Sequence, residues 1–138
     1  MSRALSAAVL LAALAGAPAL AHHSFAMFDM SKQVQITGVV KDFQYTNPHS
    51  WVIVVAPGPD GKQADWGFES EGPSTLLRAG IKHSSLTPGD KVTVTAYPMR
   101  DGRPAGSLIQ VAKADGSVLI FRAGPPPAGV RTGAPGGR

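Results

Sequence analysis

Between residues 33 and 122 apolar and polar positions alternate with a period near two, the spacing of strands with one buried face. Val34, Ile36, Gly38 and Val40 share one side, and Phe43 and Tyr45 continue that side out of phase. Side chains on a strand alternate strictly, so a phase change requires an inserted residue. The pattern therefore predicts one long, bent strand over Gln33–Thr46 with a β-bulge near Lys41-Asp42. Asn47-Pro48 turns the chain. Trp51–Ala56, apolar on both faces, is a second strand, and Pro57-Gly58-Pro59-Asp60-Gly61 is a hairpin loop. Gln63–Glu69, with Ala64, Trp66 and Phe68 on one face, is a third strand.

The alternation then breaks. Gly72–Gly80 predicts a short helix, with Pro73 at its first position, Leu76 and Leu77 as its apolar side and Gly80 as a left-handed cap. Thr87-Pro88-Gly89-Asp90 has the composition of a type II turn. Lys91–Tyr97 is a fourth strand and Asp101-Gly102 a loop tip. Ser107–Ala114 is a fifth strand, Asp115-Gly116 a tight type I′ turn, and Ser117–Arg122 a short final strand. Three strands, a helix and two or three more strands, the first bent enough to serve two sheets, is the order of an OB-fold-like small Greek-key β-barrel. A β-sandwich is the alternative, but it normally needs more strands and no central helix. The expected core is Val34, Ile36, Val40, Ile53, Val92, Val94 and Val111, joined by Trp66 and Phe68; Trp51 stands open between a core position and an exposed stacking platform.

Both ends depart from this pattern. Arg3, the apolar run Ala4–Ala15, Pro18 and Ala19-Leu20-Ala21 have the layout of a secretory signal peptide over residues 1–21. The run is shorter than the ~20 residues of a permanent membrane helix. A mature periplasmic or secreted chain beginning at His22, with no stable membrane span, is expected. Residues 123–138 contain nine Gly or Pro in sixteen positions, including Pro125-Pro126-Pro127, and predict a disordered tail. Residues 22–122 make one domain.

Composition narrows the chemistry. The 138 residues include no cysteine, which excludes disulfides, thiolate metal sites and cysteine nucleophiles. The net charge of +4 is misleading: residues 22–122 carry ten Lys/Arg against nine Asp/Glu, so there is no concentrated basic face for nucleic acid. Catalytic signatures such as G-x-S-x-G, H-E-x-x-H or a P-loop are absent, and the sequence assigns no catalytic residue. Glu69 and Glu71 read as acidic residues favouring the positive end of the following helix.

The histidines are the pointed feature. Cleavage after Ala21 makes His22 the terminal residue, whose α-amine and ring Nδ1 can chelate one metal; His23 or His49 then supplies a third nitrogen. Such a nitrogen set in tetragonal geometry selects Cu(II). Were Ala21 retained, Ala-His-His would still chelate copper, with His23 third. The competing reading is a solvated terminus and a His49 bonded to turn backbone. His83 reads as an ordinary loop histidine, and Met27 and Met30 as packing residues with Phe25 and Phe28. A second class of function is a non-enzymatic OB module presenting Tyr45, Trp51 and Arg100 to a ligand or a periplasmic protein partner. A third, a copper oxygenase, would need an electron donor and a substrate surface that the sequence does not display.

These residues also carry a resemblance. His22-His23-Ser24-Phe25-Ala26-Met27-Phe28-Asp29, the Asn47-Pro48-His49-Ser50 turn, Trp66-x-Phe68-Glu69, Gly89-Asp90-Lys91-Val92 and Pro98-Met99-Arg100-Asp101-Gly102 together resemble an uncharacterised family of small secreted bacterial proteins. The likeness runs over about residues 22–121. It implies an exported single domain, and no catalytic residues.

Overall fold

The computed structural model describes residues 23–122, with side chains from Phe25 onward. The expected signal segment, His22 and the proline-rich tail lie outside the described residues. In chain order the elements are α1 (His23–Ala26), β1 (Val34–Gln44), β2 (Trp51–Pro57), β3 (Gln63–Glu69), α2 (Pro73–Arg78), a 3-10 turn (His83–Ser85), β4 (Lys91–Pro98), β5 (Ala105–Lys113) and β6 (Val118–Ile120).

β1 is long enough to pair twice. Its first half runs antiparallel to β4, from Val34↔Ala96 to Val39↔Lys91, and its second half antiparallel to β2, from Val39↔Val55 to Gln44↔Trp51. The register slips between Val40 and Asp42. That slip is the expected bulge, and it lets Ile36, Val40 and Phe43 all face inward despite the change of phase. β3 then pairs in parallel with β5 over Gly67–Glu69, which closes β1-β2-β3-β5-β4 into a five-stranded barrel. This is the OB arrangement, with α2 between β3 and β4, and it replaces the sandwich alternative.

The barrel is filled by Val40, Phe43, Val52, Val54, Trp66, Phe68, Val92, Val94, Leu108 and Val111, and Leu76 and Ile81 plug its end beneath α2. Trp66 and Phe68 stack within this core at 6.0 Å, and the Trp66 indole N–H donates to Pro57 O at 3.0 Å. Ile53 is a correction. β2 turns Val52, Val54 and Ala56 inward, so Ile53 lies on the outer face with Trp51 and Val55. Both faces of β2 are apolar, and the alternation could not choose between them. Val34 is likewise only half buried.

A second buried cluster lies outside the barrel: Phe28, Tyr97, Met99 and Ile109. The N-terminal segment covers the outer face of β4 and β5 through the bridge Phe28↔Met99, with Asp29 N donating to Pro98 O and Arg100 N to Met27 O. A further register shift between Thr95 and Ala96 was not expected; it allows four consecutive residues, Val94–Tyr97, to be buried between the two clusters. α2 ends as anticipated, with Ile81 N donating to Leu76 O and Gly80 N to Leu77 O. The Asp115-Gly116 turn is not type I′. That type needs positive φ at both residues, whereas only Gly116 has it, and Lys113 N bonds Ser117 O across a three-residue loop.

Candidate functional site

The loop joining β1 to β2 is built around short polar contacts. Thr46 Oγ1 donates to His49 O at 3.1 Å, and buried Ser50 donates its N–H to Glu71 O at 3.3 Å while its carbonyl accepts Ser70 N at 2.9 Å. The Asn47-Pro48 peptide bond is cis. Gly72 is required where the two loops meet: a Cβ there would stand 2.7 Å from Pro48 O. The loop carrying His49 is thus locked to the end of β3 and the start of α2.

This locking fixes His49. Its Nδ1 lies 3.2 Å from Glu69 Oε1 and 3.2 Å from Ser70 O. Both neighbours are acceptors, so Nδ1 carries the proton and, in the neutral ring, Nε2 carries the lone pair. The ring is 40% exposed and the Glu69 side chain 14%, which places the orienting carboxylate beneath and the imidazole toward solvent. Two residues on, Glu71 Oε1 accepts from Arg122 Nη2 at 3.2 Å, and the Arg122 guanidinium lies 4.7 Å over the Phe25 ring of α1. Glu69 and Glu71 therefore serve as side-chain partners of His49 and Arg122. Both precede the N-cap Gly72, so neither lies within the first turn of α2.

Trp51, directly after this loop, lies on the outer barrel face. A Cβ on Gly67 would only touch its ring, at 3.7 Å. Met27, Phe28, Trp51, Met99, Arg103, Pro104 and Ala105 line a mainly apolar cleft of about 420 Å³ between the N-terminal segment, β2 and the β4–β5 loop.

The other sequence candidates are placed as follows. His22 lies outside the described residues; His23 opens α1, with its side chain outside them. Among the described residues no group of three or more His, Cys, Asp or Glu gathers in a metal-holding arrangement. Tyr45 points its hydroxyl at Pro73 O and Ile81 O, at 3.0 and 2.9 Å, and ties β1 to α2. Arg100 clamps the N-terminal segment, its Nε donating to Ala26 O at 3.0 Å. Tyr45 and Arg100 are thus engaged with different parts of the chain, and only Trp51 of that trio lines the cleft. His83 sits over Phe43 and Tyr45, with ring centroids 6.1 and 6.0 Å away. Missed from sequence were Glu69 as the partner of His49, and Arg103 and Pro104 at the cleft. The pairing Trp51↔Glu69 follows from a hairpin centred on Asp60, so the closeness of Glu69 to the His49 turn was in principle readable.

Fold and site together define a small OB-type barrel that carries an oriented imidazole, at His49, and an apolar cleft lined by Trp51. The chain belongs to the family of unknown function DUF6152, whose model matches residues 9–110. The match takes in the N-terminal histidines, His49, Glu69 and Trp51 and ends within β5, short of Arg122. No curated protein and no solved structure matched the chain. Among the described residues no helix is long and apolar enough to cross a membrane.

Proposed function

We propose that this protein is exported and that its mature chain, beginning at His22, binds one Cu(II) through the α-amine and ring of His22, with His49 or His23 as the further nitrogen. The observation that carries the reading is the orientation of His49. An imidazole whose Nδ1–H is held by a carboxylate, with Nε2 left toward solvent, is the usual arrangement of a metal-ligating histidine. The position of α1 supports it. Phe25 meets Arg122, Arg122 meets Glu71, and the Glu71 carbonyl binds Ser50, the neighbour of His49. His22 is three residues from Phe25, a reach of at most about 11 Å. With no thiolate in the chain, a nitrogen set favours Cu(II). Export rests on Arg3, the apolar run and Ala19-Leu20-Ala21.

A second reading, a non-enzymatic OB module for a small ligand or a protein partner, is favoured by the Trp51 cleft. The two separate on protein recovered from the cell envelope. N-terminal sequencing should begin at His22, and metal analysis after copper loading and desalting should return about one copper per chain on the proposed one-site stoichiometry. A mature chain that still contains Leu14 or Ala15, or one that retains no copper, overturns the copper reading.

A further inference from the structure

We propose that the Trp51 cleft is the docking site of the chain's own proline-rich tail, with Pro125-Pro126-Pro127 lying against Trp51 and Met27. The argument begins with direction. β6 pairs antiparallel with β5, Val118↔Ala112, Leu119↔Val111 and Ile120↔Gln110, so each step along β6 moves back along β5 toward Ala105, which lines the cleft. The course runs on to Phe121, whose N–H donates to Ile109 O at 2.9 Å; the chain then bends, and Arg122 N donates to the same carbonyl at 3.1 Å. The edge of β5 at Ala105–Ser107 is already paired with β3, and proline has no N–H to add to a ladder.

Arg122 is moreover tied to chain neighbours of the residues that line the cleft. Its guanidinium lies over Phe25, two residues before the lining residue Met27, and bonds Glu71, whose carbonyl is bound by Ser50, next to the lining residue Trp51. Length agrees with direction. From Ile109 to Ala105 along β5 is four residues, about 13 Å; Pro125 to Pro127 stand three to five residues beyond Arg122, a reach of about 10–18 Å. Chemistry agrees as well. A proline triplet adopts an extended polyproline II form with little entropy to lose, and grooves lined by aromatic and apolar side chains are what such segments dock into. Phe25 and Met27, 44% and 43% exposed, are large apolar residues beside that path.

The test uses the full chain, with a chelator present so that copper plays no part. In NMR spectra the Trp51 ring should show NOEs to proline ring protons. Replacing the triplet (Pro125→Ser, Pro126→Ser, Pro127→Ser) should abolish them and shift the Trp51 indole N–H peak. The Trp66 peak, inside the barrel, should stay in place and show that the fold is intact. NOEs absent from the parent chain, with the Trp51 peak unmoved by the triple substitution, overturn the proposal. NOEs that vanish on dilution also overturn it, because the tail would then be reaching a second copy.

Discussion

Tyr45→Phe removes one oxygen atom from the tie between the bent end of β1 and α2. The hydroxyl lies 3.0 Å from Pro73 O and 2.9 Å from Ile81 O, but it has one proton and serves one carbonyl at a time. The loss is therefore one net hydrogen bond, about 0.5–1.5 kcal/mol, plus part of the cost of a carbonyl deprived of its donor, about 1–3 kcal/mol where burial is complete. The site is only partly buried, so water recovers some of this, and about 1–2 kcal/mol is expected. Phenylalanine keeps the edge-to-face contact with Phe43 at 5.5 Å, which leaves packing nearly unchanged. Urea unfolding reads the difference: with a slope of about 2 kcal/mol per molar, the midpoint should fall by roughly 0.5–1 M at constant slope. An unchanged midpoint would refute the latch. An unchanged midpoint accompanied by weakened ligand binding would return Tyr45 to the exposed binding face that the sequence suggested.

Three further perturbations test other parts of the account. Val94→Asp buries an unpaired carboxylate in the barrel and should cost at least about 3 kcal/mol; a melting temperature within a few degrees of the parent would contradict the assignment of the inner face. Gly38→Ala would place a Cβ 2.3 Å from Val55 O where β1 crosses β2, and a loss of about 1–3 kcal/mol in chemical denaturation is expected. Asp29 is held down to about 2, first by the Ser31 hydroxyl and then by Lys32. Its folded value is below its unfolded one, so its contribution to stability is complete above pH ~4 and is lost as pH falls toward 2. NMR titration should give a midpoint near 2 that rises in Ser31→Ala, and a midpoint near 4 in the parent would count against the contact.

Much of this molecule is legible wherever alternation has one apolar face. The phase change from Val40 to Phe43 gives the bulge, and with it a strand that serves both halves of the barrel. Pro73 and Gly80 bracket α2. Legibility fails where both faces are apolar: Ile53 and Val54 look alike in the sequence, and only the tertiary packing selects Val54. The Thr95/Ala96 shift is hidden for the same reason, since Val94–Tyr97 is buried on both sides once Phe28 covers the outer cluster. α1 is four residues long and has no acidic first turn to announce it. The site was half visible. His49 stood out as a histidine in a rigid turn, but its orientation depends on Glu69 and Ser70, about twenty residues away and brought close by the β2–β3 hairpin.

The proposal that a terminal histidine and His49 together hold copper is tested most directly by Cu(II) EPR on three proteins: the chain beginning at His22, the same chain extended by an initiator Met, and His49→Ala. The chelate needs the amine and ring of one residue, and extension separates them. Coupling to three nitrogens in the first protein, lost in both of the others, is the predicted result. Identical spectra from all three would place the copper elsewhere and leave His49 as a turn residue bonded to Glu69 and Ser70.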